Sequence, residues 1–116
     1  MPAWEVDFYQ RGDVHALTEL AEDLTNRQFK HVRRQLLRLE EHGFDLDGDW
    51  FDHVASSGQR LQEFRMTADK TEVRFLFRLM GRRFLMLRGF VHKRATDVER
   101  HVPVAERRLV EWMERL

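Results

Sequence analysis

The segment Val73 to Arg94 reads VRFLFRLMGRRFLMLRGFVHKR, strongly apolar yet carrying six arginines and a lysine. Alternation makes sense of that mixture. In residues 73–79, Val73, Phe75, Phe77 and Leu79 fall on one side of a strand, and Arg74, Leu76 and Arg78 on the other. Arg74 and Arg78 then stand about 13 Å apart on one face, at ~3.3 Å per residue. Residues 60–66 place Glu63 and Arg65 together, opposite Phe64 and Met66. Residues 83–93 put Arg88 and His92 on one face and run into Lys93 and Arg94. A guanidinium is planar and permanently charged, so it can hold two oxygens of one anion. His92 could move a proton near neutrality, and its cationic neighbours favour the neutral, base-competent ring. The expectation is a sheet with one face in the core and the other gripping an anion. The competing reading pairs these arginines with Glu63, Glu72 or carboxylates of the last helix. Only three acidic residues share positions 59–94 to do so.

The whole chain has 20 basic and 20 acidic side chains, which hides an asymmetry. Residues 1–58 hold 6 basic and 12 acidic side chains, residues 59–94 hold 10 and 3, and residues 95–116 hold 4 and 5. At 116 residues and 42% hydrophobic content, a single folded domain over 1–116 is expected. The absence of cysteine excludes disulfides and thiolate zinc sites. The start MPAWEVDFYQ lacks a basic, apolar leader, and no window is apolar enough to span a membrane. A cytoplasmic protein with no membrane partner is therefore expected.

The elements that must position these residues follow from periodicity. AWEVDFY alternates as a strand, with Trp4, Val6 and Phe8 on one side and Tyr9 on the other. The RGD turn leads to a helix from Val14, with Asp13 as its expected N-cap. Thr25 and Gln28 fit a capping box for a second helix, whose expected buried stripe is Phe29, Val32, Leu36, Leu37 and Leu39, ending at Gly43. Residues 43–59 read as a loop. Its Asp45, Asp47, Asp49 and Asp52 miss calcium-loop spacing, because Trp50 and Ser56 fall where glycine and glutamate are needed, so no metal is assigned. Strands at 60–66, 73–79 and 83–93 form a meander, with Gly81 turning the last hairpin at positive φ. A C-terminal helix carries Val102, Ala105, Leu109, Trp112, Met113 and Leu116, and is expected to begin or kink at Pro103. The class is α+β, with a mostly antiparallel sheet packed by a helical hairpin. His15, His31, His42, His53 and His101 show no ligand spacing.

Four motifs, LQEFRM (61–66), VRFLFR (73–78), FLMLRGFVHKR (84–94) and AERRLVEW (105–112), together resemble the phage-derived Gp49-like/HigB-like branch of the RelE/ParE toxin superfamily. The resemblance covers about residues 60 to 112 in order and spacing. It implies a RelE-like, microbial-ribonuclease-like fold and a toxin of a type II toxin–antitoxin pair. Such a toxin would be a ribosome-dependent mRNA endonuclease working by 2′-hydroxyl attack, without metal or cofactor. Its implied partners are mRNA on the ribosome and a cognate antitoxin of helix-turn-helix type. Carried over by position, Arg65, Arg74, His92 and Lys93 are the expected catalytic group, with Arg78, Arg88 and Arg94 binding RNA. The chain departs from the pattern at His92-Lys93, where two lysines are usual, and at Asp97-Val98, where Thr-Pro is usual. It also lacks a C-terminal tyrosine, Tyr9 being its only one. A non-catalytic module binding RNA or protein on the same fold is the alternative.

Overall fold

The alternating segments pair into one five-stranded sheet, ordered β1-β7-β6-β5-β4. Its strands are β1 (Glu5–Phe8), β4 (Phe51–His53), β5 (Gln62–Ala68), β6 (Thr71–Met80) and β7 (Arg83–Val91). The computed structural model describes residues 3–46 and 48–116. The meander β5-β6-β7 is antiparallel as expected, β4 extends it antiparallel, and β1 joins β7 in parallel. Gly81 takes φ 62° in the turn between Met80 and Arg83, as the hairpin requires. The turn between Ala68 and Thr71 reaches the same handedness without glycine: Asp69 and Lys70 both adopt positive φ.

Three helices cover this sheet: α1 (Ala16–Ala21), α2 (Asn26–His42) and α3 (Asp97–Glu114). The capping box of α2 is present, with Gln28 N donating to Thr25 Oγ1 at 3.1 Å and Thr25 N to Gln28 Oε1 at 2.9 Å. Gln28 Nε2 also donates to Thr71 Oγ1 at 2.8 Å, fastening the helix start to β6. Two local expectations fail here. Leu37 lies at the solvent side of α2, outside the buried stripe of Val32, Leu36 and Leu39. Asp13 does not cap α1. Val14–His15 (β3) instead pairs with Gln10–Arg11 (β2), Gly12 turning between them at φ 57°, and His15 Nδ1 accepts from Leu17 N.

The larger correction concerns the second sheet face. Phe64, Met66, Val73, Phe75, Phe77, Phe84 and Met86 pack under α2, as expected. The other face is not left open. Leu76, Leu85, Leu87 and Phe90 are buried there against Val102, Ala105 and Leu109 of α3, with Tyr9 at the margin. The register slips between Leu76 and Phe77, so Leu87 is an extra residue on β7. Leu87 packs against α3, and Arg88 bonds to a side chain of that helix.

This covering is possible because α3 starts at Asp97 rather than at Pro103. Asp97 Oδ2 accepts both Lys93 N and Arg94 N at 2.7 Å, closing the turn ahead of the helix. Pro103 faces solvent, so its ring clashes with nothing packed on the sheet. The bond forgone is the one it would have made to the Glu99 carbonyl. Residues 43–59 are likewise more ordered than a loop: a 3₁₀ turn at Gly43–Asp45 is followed by the short strand β4. Asp47 of the acidic run lies outside the described residues. No helix among the described residues is long and apolar enough to cross a membrane.

Candidate functional site

Arg65 of β5 and Arg74 of β6 are direct cross-strand partners. Two like charges in that register repel, and their Cβ atoms are roughly 5 Å apart. The chain resolves the conflict with Glu63, two residues before Arg65 and therefore on the same face. Glu63 Oε1 lies 3.0 Å from Arg74 Nη1 and 3.7 Å from Arg65 Nε. The glutamate side chain is 6% exposed and that of Arg74 11%, so this is a shielded cluster. Removing one partner of such a buried pair typically costs ~3–5 kcal/mol, because the other charge is stranded.

Further carboxylates approach from outside. Asp52 and Asp49 reach Arg65, the latter at 3.4 Å, and Glu72 reaches Arg74 at 3.4 Å. These outer acids are 52%, 86% and 54% exposed respectively. Exposed pairs of this kind contribute only ~0–1 kcal/mol each. As folded, the cluster holds more carboxylates than guanidiniums, which corrects the expectation of an open cationic face. An incoming anion must displace the weakly held outer acids, whereas Glu63 belongs to the frame.

Two adjoining hollows share this cluster. One, of about 440 Å³, runs past Asp49, Trp50, Thr67 and Glu72. The other, of about 400 Å³, is bounded by Asp52, Glu63, His92 and the start of α3 at Ala95, Val98 and Glu99, and both are lined by Arg65 and Arg74. His92 is carried there by the last bond of the β6–β7 ladder, its N–H donating to the Glu72 carbonyl at 2.9 Å. Three buried nitrogens of the lining residues have no hydrogen-bond partner among the described residues: Arg65 Nε, Arg74 Nε and His92 Nδ1. Each such group costs ~1–3 kcal/mol, so their concentration at one place marks it off from the core.

The remaining expected residues do not join this hollow. Arg88, Lys93 and Arg94 line a separate, larger one across β7, and Arg78 lies elsewhere again. Arg78 Nη1 donates to the Gln59 carbonyl at 2.8 Å beside Leu109 and Met113. Arg88 is committed to Glu19 at 2.7 Å. Arg108 also grips Glu19, through Nη1 at 2.9 Å and Nη2 at 2.7 Å, and reaches the Leu87 carbonyl. Burial pushes the Glu19 pKa up, but hydrogen bonds and charge from Arg108 and Arg88 outweigh it and hold the carboxyl below its usual range. Tyr9 is likewise remote, lying under the guanidiniums of Arg108 and Arg115. Burial, and next its hydrogen bond to Glu111, raise its phenol pKa.

The spacing of Glu63 from Arg65 already puts both on one face, which is the one local signal that it belongs to the site. Asp49 and Asp52 carry no local signal of this role, because only the pairing of β4 with β5 brings them onto Arg65. The chain matches no protein-family model, no curated protein and no solved structure. A functional reading therefore rests on the motifs and on the geometry just described.

Proposed function

We propose that this chain is a toxin resembling the Gp49-like/HigB-like branch of the RelE superfamily, on a RelE-like fold. In this reading it is a metal-independent endoribonuclease acting on mRNA at the ribosome in the cytoplasm. A helix-turn-helix antitoxin silences it. The observation that carries the reading is the Arg65–Glu63–Arg74 cluster facing one hollow together with His92. RNA brings its own nucleophile. His92 takes the 2′-hydroxyl proton as that oxygen attacks phosphorus, the departing 5′-oxygen takes a proton from water, and Glu63 holds Arg65 and Arg74 in place. The products are a 2′,3′-cyclic phosphate and a 5′-hydroxyl. Arg65 and Arg74 neutralise the charge that builds on the phosphorane, usually the largest single contribution. Proton transfer adds ~10²–10⁴-fold, and the ribosome supplies orientation of the strand.

The test is a cell-free translation reaction dosed with the purified protein, with mRNA ends mapped afterwards. Inhibition with cyclic-phosphate ends, lost in Arg74→Ala and His92→Ala, is expected. Uninhibited translation would sink the reading. The second reading, a non-catalytic module binding RNA or protein, is favoured by the carboxylates that occupy Arg65 and Arg74. It predicts salt-dependent binding that Arg74→Ala weakens, with no cleaved ends.

A further inference from the structure

Across β7 from His92 lies the largest of the hollows described, about 660 Å³, between the ends of α1 and α2 and the start of α3. Its basic side chains stand differently from Arg65 and Arg74. The main-chain N–H groups of Lys93 and Arg94 are pinned by Asp97, yet their side chains enter no ion pair among the described residues. Arg100 makes one contact, 3.5 Å to Asp97 Oδ1. The Asp97 carboxylate is thus turned inward to backbone donors, and Glu19 is held by Arg88 and Arg108. Asp23 is the lining carboxylate left without an ion pair among the described residues.

The wall carries one more donor. Arg88 Nε donates to His101 Nδ1 at 3.1 Å, and the His101 ring stacks on Phe90 at 4.3 Å and 20°. With Nδ1 accepting, the proton of the neutral ring sits on Nε2. The ring is held neutral by burial first, then by the charges of Arg88 and Arg100. Arg88 is therefore a positioning residue: it fixes the tautomer and leaves Nε2–H as the donor of the ring.

We propose that this hollow is a second phosphate subsite, separate from the Arg65–Arg74 hollow. Lys93, Arg94 and Arg100 supply charge-assisted hydrogen bonds and His101 Nε2–H a neutral one. The hollow flanks the same end of β7 as His92, so in an RNA strand whose scissile phosphate lies on Arg65 and Arg74 it takes a neighbouring phosphate. This assignment rests on the endoribonuclease reading of the first hollow.

The experiment is fluorescence anisotropy with a 2′-O-methyl oligoribonucleotide, which has no free 2′-hydroxyl and cannot be cleaved, over a series of salt concentrations. For the double variant Lys93→Gln/Arg94→Gln, affinity at low salt should fall on the order of tenfold. Its slope of log K against log salt should shrink by about 1 per lost contact. His101→Phe, which keeps the stack and removes the donor, should weaken binding a few-fold with the slope unchanged. Unchanged affinity and slope in the double variant overturn the subsite. Equal competition by poly-glutamate and by inorganic pyrophosphate, with the same variant dependence, overturns the phosphate assignment in favour of an acidic protein segment. The two readings fail separately. Lost cleavage in Arg74→Ala with intact binding in the Lys93/Arg94 variant leaves the first hollow and removes the second. Weakened binding in that variant with no cleavage by the wild type does the reverse.

Discussion

The two hollows at the end of β7 use the same residue types in opposite ways. Around Arg65 and Arg74 each guanidinium is met by carboxylates, one of them nearly buried. Around Lys93 and Arg94 the carboxylates of Asp97 and Glu19 are already engaged, Asp23 alone being left, and the two basic side chains enter no ion pair among the described residues. The difference teaches that the number of arginines on a strand says little about anion binding until their partners are counted. In the first hollow the charges hold the sheet together and must be unlocked before they can hold a ligand. In the second they add little to folding and are available.

Substitutions can break or sharpen that contrast. The largest effect is expected from Glu63→Ala, which leaves Arg65 and Arg74 opposed and stranded. Chemical denaturation should show a loss of ~3–5 kcal/mol. A change under about 1 kcal/mol would mean that the cluster is wetter and weaker than its burial implies.

Next comes Glu19, the shared partner of Arg88 and Arg108. Its folded-state pKa is depressed, so its contribution is complete above the ordinary value of 4.5 and is lost as pH falls through the lower folded value. Glu19→Gln should therefore lower stability at pH 7 and flatten the acid limb of a pH–stability curve. An acid limb identical to the wild type's would remove Glu19 from the account.

Asp49→Asn combined with Asp52→Asn should change stability by less than ~1 kcal/mol per pair, because both partners are exposed. It should meanwhile strengthen oligoribonucleotide binding several-fold, since Arg65 is released. Weaker binding would show that these acids order the site rather than obstruct it. The smallest effect belongs to Lys93→Gln/Arg94→Gln, within about ±0.5 kcal/mol by thermal or chemical denaturation. A larger loss would show that the unpaired cations are structural after all.

Much of the frame was legible because it depends on local period. The alternation of residues 60–66 and 73–79 gave β5 and β6, Thr25 with Gln28 gave the start of α2, and Gly81 gave the hairpin. What escaped was set by distant partners. β4 is a strand only because β5 offers it an edge. The start of α3 depends on a side chain, Asp97, reaching back to Lys93 and Arg94, which outweighs the local objection of Pro103. The candidate site divides in the same way. That Arg65 shares a face with Glu63 and Arg74 with Arg78 could be read from spacing. That a helix covers most of that face, with Arg88 tied to Glu19, required the tertiary fold.

The parallel pairing of β1 with β7 has a consequence for how the chain is made. Glu5 meets Arg83 and Phe8 meets Met86, so β1 pairs with a strand synthesised well after it. Local pieces such as α2 and the β5–β6 hairpin can form during synthesis. Closing the sheet over so long a stretch must wait, because the entropy of loop closure comes before the contacts that offset it. The nascent chain thus carries Val6, Phe8 and Tyr9 without their β7 neighbours until Met86 has emerged. That interval is when a chaperone would have the most to hold.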